Sequence, residues 1–145
     1  MKLIDIKKLQ TIINKVGLLN FFDTVINRLE HDFKRWDSFE KNARHATHSK
    51  HGVIELMPAS DSEFYSMKFV NGHPINPSFG KLSVMAVGLL ARVEDGMPLM
   101  FCEMTLLTAI RTACTSALVA KYAARPESSV LGFIGTGAQS EFQAI

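Results

Sequence analysis

Near its C-terminal end the chain carries an apolar run, Ser129-Val130-Leu131-Gly132-Phe133-Ile134, that leads directly into Gly135-Thr136-Gly137-Ala138-Gln139-Ser140. This is the strand-turn-helix pattern of a dinucleotide-binding turn. The glycine at 135 permits a tight turn, the one at 137 lets the backbone approach a pyrophosphate, and a small residue, Ser140, stands third. The free N–H groups and dipole of the helix that follows favour an anion. An ordinary strand-to-helix turn is the alternative. Only five residues, 141–145, follow the pattern, whereas a βαβ unit takes about 30. Val130, Leu131 and Ile134 would be strand residues with no partner strands, so the expectation is a chain that stops inside its first nucleotide-binding unit, as the front part of a longer protein.

The preceding residues predict an α+β fold. Ile6, Leu9, Ile12 and Ile13 repeat at helical spacing over 5–14, with Asp5 as N-cap and Gly17 as stop. A second amphipathic helix is predicted over 21–36, with Phe22, Val25, Ile26, Leu29, Phe33 and Trp36 as its apolar stripe. After Lys41, runs at 43–48, 52–57 and 64–70 read as an antiparallel meander. In the third run Tyr65, Met67 and Phe69 share one face, which puts Lys68 on the other with Ser66 and Val70. Residues 71–80 hold two prolines and two glycines and predict an ordered loop. Residues 82–91 and 98–102 flank Glu94-Asp95-Gly96, a hairpin signal. The longest helix is expected over 103–124, free of Gly and Pro and ended by Pro126, with Leu107, Ile110, Cys114, Ala117 and Leu118 as core stripe and Arg111 at its border.

Composition narrows the function classes. With 47% hydrophobic and 21% charged residues and a formal net charge of +2, the chain is an ordinary globular one, and its charge gives nucleic-acid binding no support. Cys102 and Cys114 stand far apart and predict buried free thiols. Charge within the first five residues excludes a secretory core, and no uncharged apolar stretch approaches the ~20 residues of a membrane-spanning helix. A cytoplasmic protein is the simplest expectation.

Arg44, Lys68 and Arg111 are cations placed on regular elements, where an anion is needed. One outcome is a carboxylate clamp, because a guanidinium fork grips a planar carboxylate and an ammonium supplies a point charge. The other is pairing with Glu55, Asp61, Glu63 or Glu103. His45, His48 and His51 recur every third residue, a spacing that does not align on a strand, so no metal site is expected. His73 is expected to be a hydrogen-bonded structural histidine, and Met85, Met97, Met100 and Met104 to fill the core.

Five strings in order, Arg35-Trp36-Asp37-Ser38-Phe39, Gly52-Val53-Ile54-Glu55-Leu56-Met57-Pro58, Lys68-Phe69-Val70-Asn71-Gly72-His73-Pro74, Glu103-Met104-Thr105 through Arg111-Thr112-Ala113, and Gly135 through Ala144, resemble the ornithine cyclodeaminase/mu-crystallin family. The resemblance implies a substrate-binding and dimerisation domain over 1–125 and the start of a truncated NAD-binding Rossmann domain over 126–145. It implies conversion of L-ornithine to L-proline and ammonia: a hydride leaves the α-carbon for NAD⁺, the δ-amine closes the ring as ammonia departs, and the hydride returns. Arg44, Lys68 and Arg111 fall on the family's substrate-binding cations, with Lys68 also catalytic and Arg111 also at the cofactor. Glu55 falls on an acid near the distal amine. Ser83, Gly135, Thr136, Gly137, Ala138 and Gln139 fall on cofactor-binding positions. The family's catalytic aspartate and ribose-binding acid belong to a portion outside this chain, so this chain alone is expected to be inactive. The resemblance also implies an amino-acid substrate and a homodimer. The alternatives are an imine reductase or amino-acid dehydrogenase of the mu-crystallin type, or a non-catalytic fragment that only dimerises.

Overall fold

The computed structural model describes all 145 residues. In chain order they form β1 (Lys2–Ile4), α1 (Ile6–Val16), α2 (Leu18–Lys34), β2 (Glu40–Lys41), β3 (His45–Ser49), β4 (Gly52–Ser60), β5 (Phe64–Gly72), β6 (Ala86–Arg92), β7 (Pro98–Glu103), α3 (Thr105–Ala123) and α4 (Ala138–Gln143), with 3-10 turns at Trp36–Ser38 and Asn76–Phe79. The chain is thus α+β, as its patterning predicts. It divides into two compact units, Met1–Gln10 with Trp36–Leu106, and Thr11–Arg35 with Leu107–Ile145. No helix is long and apolar enough to cross a membrane.

The first unit is a seven-stranded sheet in the order β1-β7-β6-β5-β4-β2, with β3 also paired to β4. All pairs are antiparallel except β1 on β7. The Asp-Gly signal is realised between β6 and β7, where Gly96 takes φ 69°, Asp95 accepts from the Met97 N–H at 3.0 Å, and the Gly96 N–H reaches the Arg92 carbonyl. Asp61 turns β4 into β5 by accepting from the Glu63 and Phe64 N–H groups at 2.9 and 2.8 Å, an Asx-type turn. Val70, Ala86, Ala91 and Cys102 are the sheet's buried residues of the apolar class. Met85 and Met97 lie 41% and 48% exposed instead of filling the core; the first stands in an irregular stretch and the second in the β6–β7 turn, neither of which has a buried face.

The second unit centres on α2 and α3. Phe22 of α2 and Ile110, Ala113, Cys114 and Leu118 of α3 are buried, and the Cys114 Sγ lies 3.8 Å from the Phe22 carbonyl. Burial pushes both cysteine thiols up in pKa, so each behaves as a small apolar side chain. Ala117 lies outside the buried set, and Ala113 takes the place expected for it. Phe33 and Trp36 are half exposed: the first stands in the last turn of α2, and the second lies beyond the helix, which ends at Lys34. At the other end Asp5 does cap α1, accepting from the Lys8 N–H at 2.8 Å. The predicted strand at 129–134 is absent: those residues form no regular structure, with Val130 90% and Ile134 107% exposed. A strand needs a neighbour for its N–H and C=O groups, and no strand of this chain supplies one.

Glu30 ties α2 to α3. Its carboxylate accepts from Lys121 Nζ at 2.7 Å, Tyr122 OH at 2.6 Å and Lys34 Nζ at 2.7 Å. Lys121, then Lys34, then Tyr122, hold the Glu30 pKa down at about 2 from 4.5. A depressed carboxylate stabilises the folded state above its unfolded pKa and loses that contribution as pH falls through the folded one. Denaturant titrations from pH 5 to pH 2 are therefore expected to show stability falling over this window in the native chain, with a shallower fall in Glu30→Gln.

Candidate functional site

Strand register brings charged residues together in the first unit. Glu55 lies opposite Val70 and Ala46, and Met57 opposite Lys68. Since side chains alternate along each strand, Glu55, Met57, Lys68 and Val70 share one face, with Glu55 diagonal to Lys68. Arg44 precedes β3 by one residue, and its Nη1 lies 3.5 Å from Glu55 Oε1. The Arg44 side chain is 64% exposed and the Glu55 side chain 23% exposed. So loose and exposed a pair contributes little, and a competing carboxylate can displace it. Lys68 is half-buried in mid-strand.

Beside Lys68 the sheet is low. Its partner on β6 is Gly88, which is buried. A Cβ there would collide with the Met104 Sδ, and its distance to the Met104 Cγ would be 3.1 Å. The Met104 thioether therefore occupies the space a side chain would take next to Lys68. Met104 is itself pinned, its N–H donating to the Ala86 carbonyl at 2.9 Å, while the neighbouring Thr105 Oγ1 accepts from the Ala86 N–H at 3.0 Å. Glu103, a candidate ion-pair partner from the sequence, is engaged at the start of α3. Its carboxylate accepts from the Thr105 and Leu106 N–H groups, filling acceptor positions at the positive end of the helix.

Ser83 stands in the irregular stretch before β6, half-buried. Its carbonyl accepts from the His73 N–H at 2.8 Å. The His73 ring is hydrogen-bonded to Asn71 at 3.0 Å, the structural role expected for it.

The remaining candidates belong to the second unit. Arg111 is exposed on α3, and its carbonyl accepts from the Thr115 hydroxyl at 2.9 Å. Gly135 takes φ 91°, a conformation that favours glycine. Cβ atoms at Gly135 and Gly137 would meet nothing within 4 Å, so the backbone is open to close approach by a ligand. Gly137 begins α4 in extended geometry, and its carbonyl accepts from the Ser140 hydroxyl at 2.7 Å. Thr136, Gly137, Ala138 and Gln139 thus form a compact turn, and these residues fit a phosphate-binding role. The Gln139 Nε2 donates to the Ala109 carbonyl at 3.0 Å, which ties this turn to the helix that carries Arg111, two residues further on.

Sequence patterning missed Gly88 and Asn71. Gly88 was one residue inside an apolar run, and Asn71 preceded a glycine and read as loop. Only pairing reveals that the first faces Lys68 and that the second, 8% exposed, is a buried polar group.

Residues 7–145 match the model of the ornithine cyclodeaminase/mu-crystallin family. The chain is 49% identical over 142 residues to the ornithine cyclodeaminase of Agrobacterium fabrum, covering 98% of this chain and 40% of that protein. A solved lysine cyclodeaminase, described as recognising L-lysine, L-ornithine and L-2,4-diaminobutyric acid, superposes with a TM-score of 0.91 at 26% identity over 99% of this chain and 43% of its own. An archaeal alanine dehydrogenase dimer with bound NAD superposes with a TM-score of 0.87 at 31% identity, over 99% and 43%. The chain therefore spans about two fifths of the length of these relatives.

The Gly88–Met104 contact is open to direct test. Gly88→Ala is expected to displace the Met104 side chain and to cost about 1–3 kcal/mol of stability through overpacking, measured by urea denaturation. Adding Met104→Ala should recover part of that loss.

Proposed function

The chain belongs to the ornithine cyclodeaminase/mu-crystallin family, and from that premise we propose that it is the substrate-binding portion of an NAD-dependent ornithine cyclodeaminase, forming L-proline and ammonia from L-ornithine. The observation that carries this is the shared face of Arg44, Glu55 and Lys68. A diamino acid presents a carboxylate at one end and an ammonium at the other, and that face offers two cations and one acid. Lys68 binds the carboxylate and, from that position beside the α-carbon, takes the catalytic role at the reacting centre. The Arg44 fork, loosely held by Glu55, turns to the carboxylate, and Glu55 is then released to accept a hydrogen bond from the distal amine. Arg111 completes the orientation of the amino acid and borders the cofactor.

Ser83 and the turn Gly135, Thr136, Gly137, Ala138 and Gln139 would hold NAD, supported by the positive φ at Gly135 and the open space at both glycines. NAD, when bound, accepts and returns the hydride, so that no external reductant is consumed. Residues 1–125 serve as the substrate and dimerisation domain and 126–145 as the start of the nucleotide-binding domain, in a cytoplasmic homodimer. The alanine dehydrogenase likeness favours, as second reading, a dehydrogenase or imine reductase using the same clamp.

The test is formation of proline from ornithine with NAD⁺. In an enzyme that joins this chain to a nucleotide-binding domain, Lys68→Ala is expected to lower turnover by about 10²-fold or more while leaving NAD⁺ affinity largely unchanged. Equal loss of both would refute the role of Lys68. Consumption of external NAD(P)H with a cyclic imine or oxo acid, without cyclodeamination, would favour the second reading. The 145-residue chain alone is expected to be inactive, and appreciable turnover from it would contradict that expectation.

A further inference from the structure

Asn71 is a buried polar side chain at the end of β5, three residues beyond Lys68. Its Oδ1 accepts from the Met85 N–H, and its own N–H donates to the Met85 carbonyl at 3.1 Å. A backbone N–H can only donate, so the side-chain amide is fixed with Oδ1 toward Met85 and Nδ2 toward His73 Nδ1, 3.0 Å away. An amide NH₂ can only donate in turn, so Nδ1 accepts and the neutral His73 ring carries its proton on Nε2. The His73 backbone N–H then holds the Ser83 carbonyl. His73 also packs on Gly52, where a Cβ would come within 2.8 Å of its Cγ. The stretch 83–85, which has no regular structure of its own, is therefore fastened to β5 through these two residues.

We propose that Asn71, acting with His73, is the positioning residue that fastens the segment carrying Ser83 to the strand that carries Lys68. This rests on the nucleotide-contacting role assigned to Ser83. In this role Asn71 acts through Ser83. The strand carrying Lys68 is paired on both sides, so its end is a fixed reference, and the Asn71 amide transmits that reference to a segment that could not hold it alone.

The first test needs no variant. Nitrogen-15 NMR of the chain is expected to show neutral His73 protonated at Nε2 with Nδ1 as acceptor, and a ring protonated at Nδ1 would overturn the proposal. Asn71→Leu should accelerate amide exchange at His73 and Met85 by about tenfold or more, whereas unchanged exchange at both would overturn it. Asn71→Asp, of nearly the same volume, covers the case in which leucine disrupts the strand. It should keep the Met85 amide protected while moving the His73 proton to Nδ1, because a carboxylate only accepts. In the enzyme with its nucleotide domain, Asn71→Leu should raise the KM for NAD⁺ about tenfold with little change in kcat. An unchanged KM beside accelerated exchange would support the positioning of the segment and refute the nucleotide role of Ser83, which keeps the two failures distinguishable.

Discussion

The register between β4 and β5 is the constraint on which the charged face depends. Side chains alternate across a strand, so a slip of one residue would turn Lys68 to the other face of the sheet and separate it from Glu55. The turn at Asp61 holds this register, and a second turn holds a different strand pair. Asp61 accepts from two successive N–H groups where β4 turns into β5, and the Asp-Gly turn sets the β6–β7 pair that lies beyond. A tolerant surface loop in place of the Asp61 turn would leave the β4–β5 pairing free to slide.

Against this frame, the cations divide by environment. Arg44 is paired with Glu55, one of the partners its sequence context offered, but through a single exposed contact at 3.5 Å. Such a pair costs little to open, which makes it compatible with carboxylate binding as well as with an ordinary surface role. Lys68 is set into the sheet opposite Gly88, where the Met104 thioether fills the space a side chain would take. Glu103 is committed to the start of α3. Asp61, Asp95 and Glu103 thus hold turns or a helix end, while Glu55 faces a cation.

Much of this was legible in the amino-acid order, for reasons that are local. The period-2 alternation of residues 64–70 placed Lys68 opposite the aromatic face, Asp95-Gly96 carried its own turn geometry, and Asp5 stood where a cap was needed. What escaped was set by partners distant in sequence. β1 exists only because β7 offers a parallel edge, and a three-residue run has no periodicity to read. The run at 129–134 reads as a strand and forms none, since apolar content supplies no hydrogen-bonding neighbour. Asn71 reads as a turn residue because Gly72 follows it, yet both lie in β5 and its amide is buried. The glycine turn was visible from spacing, whereas the tie from Gln139 to the helix bearing Arg111 was not.

A crystal structure of the protein with L-ornithine bound tests the shared face most directly. The substrate carboxylate is expected within hydrogen-bonding distance of both Lys68 Nζ and the Arg44 guanidinium, with the Arg44–Glu55 contact broken. An amino acid bound away from that face, with Arg44 still on Glu55, would contradict it.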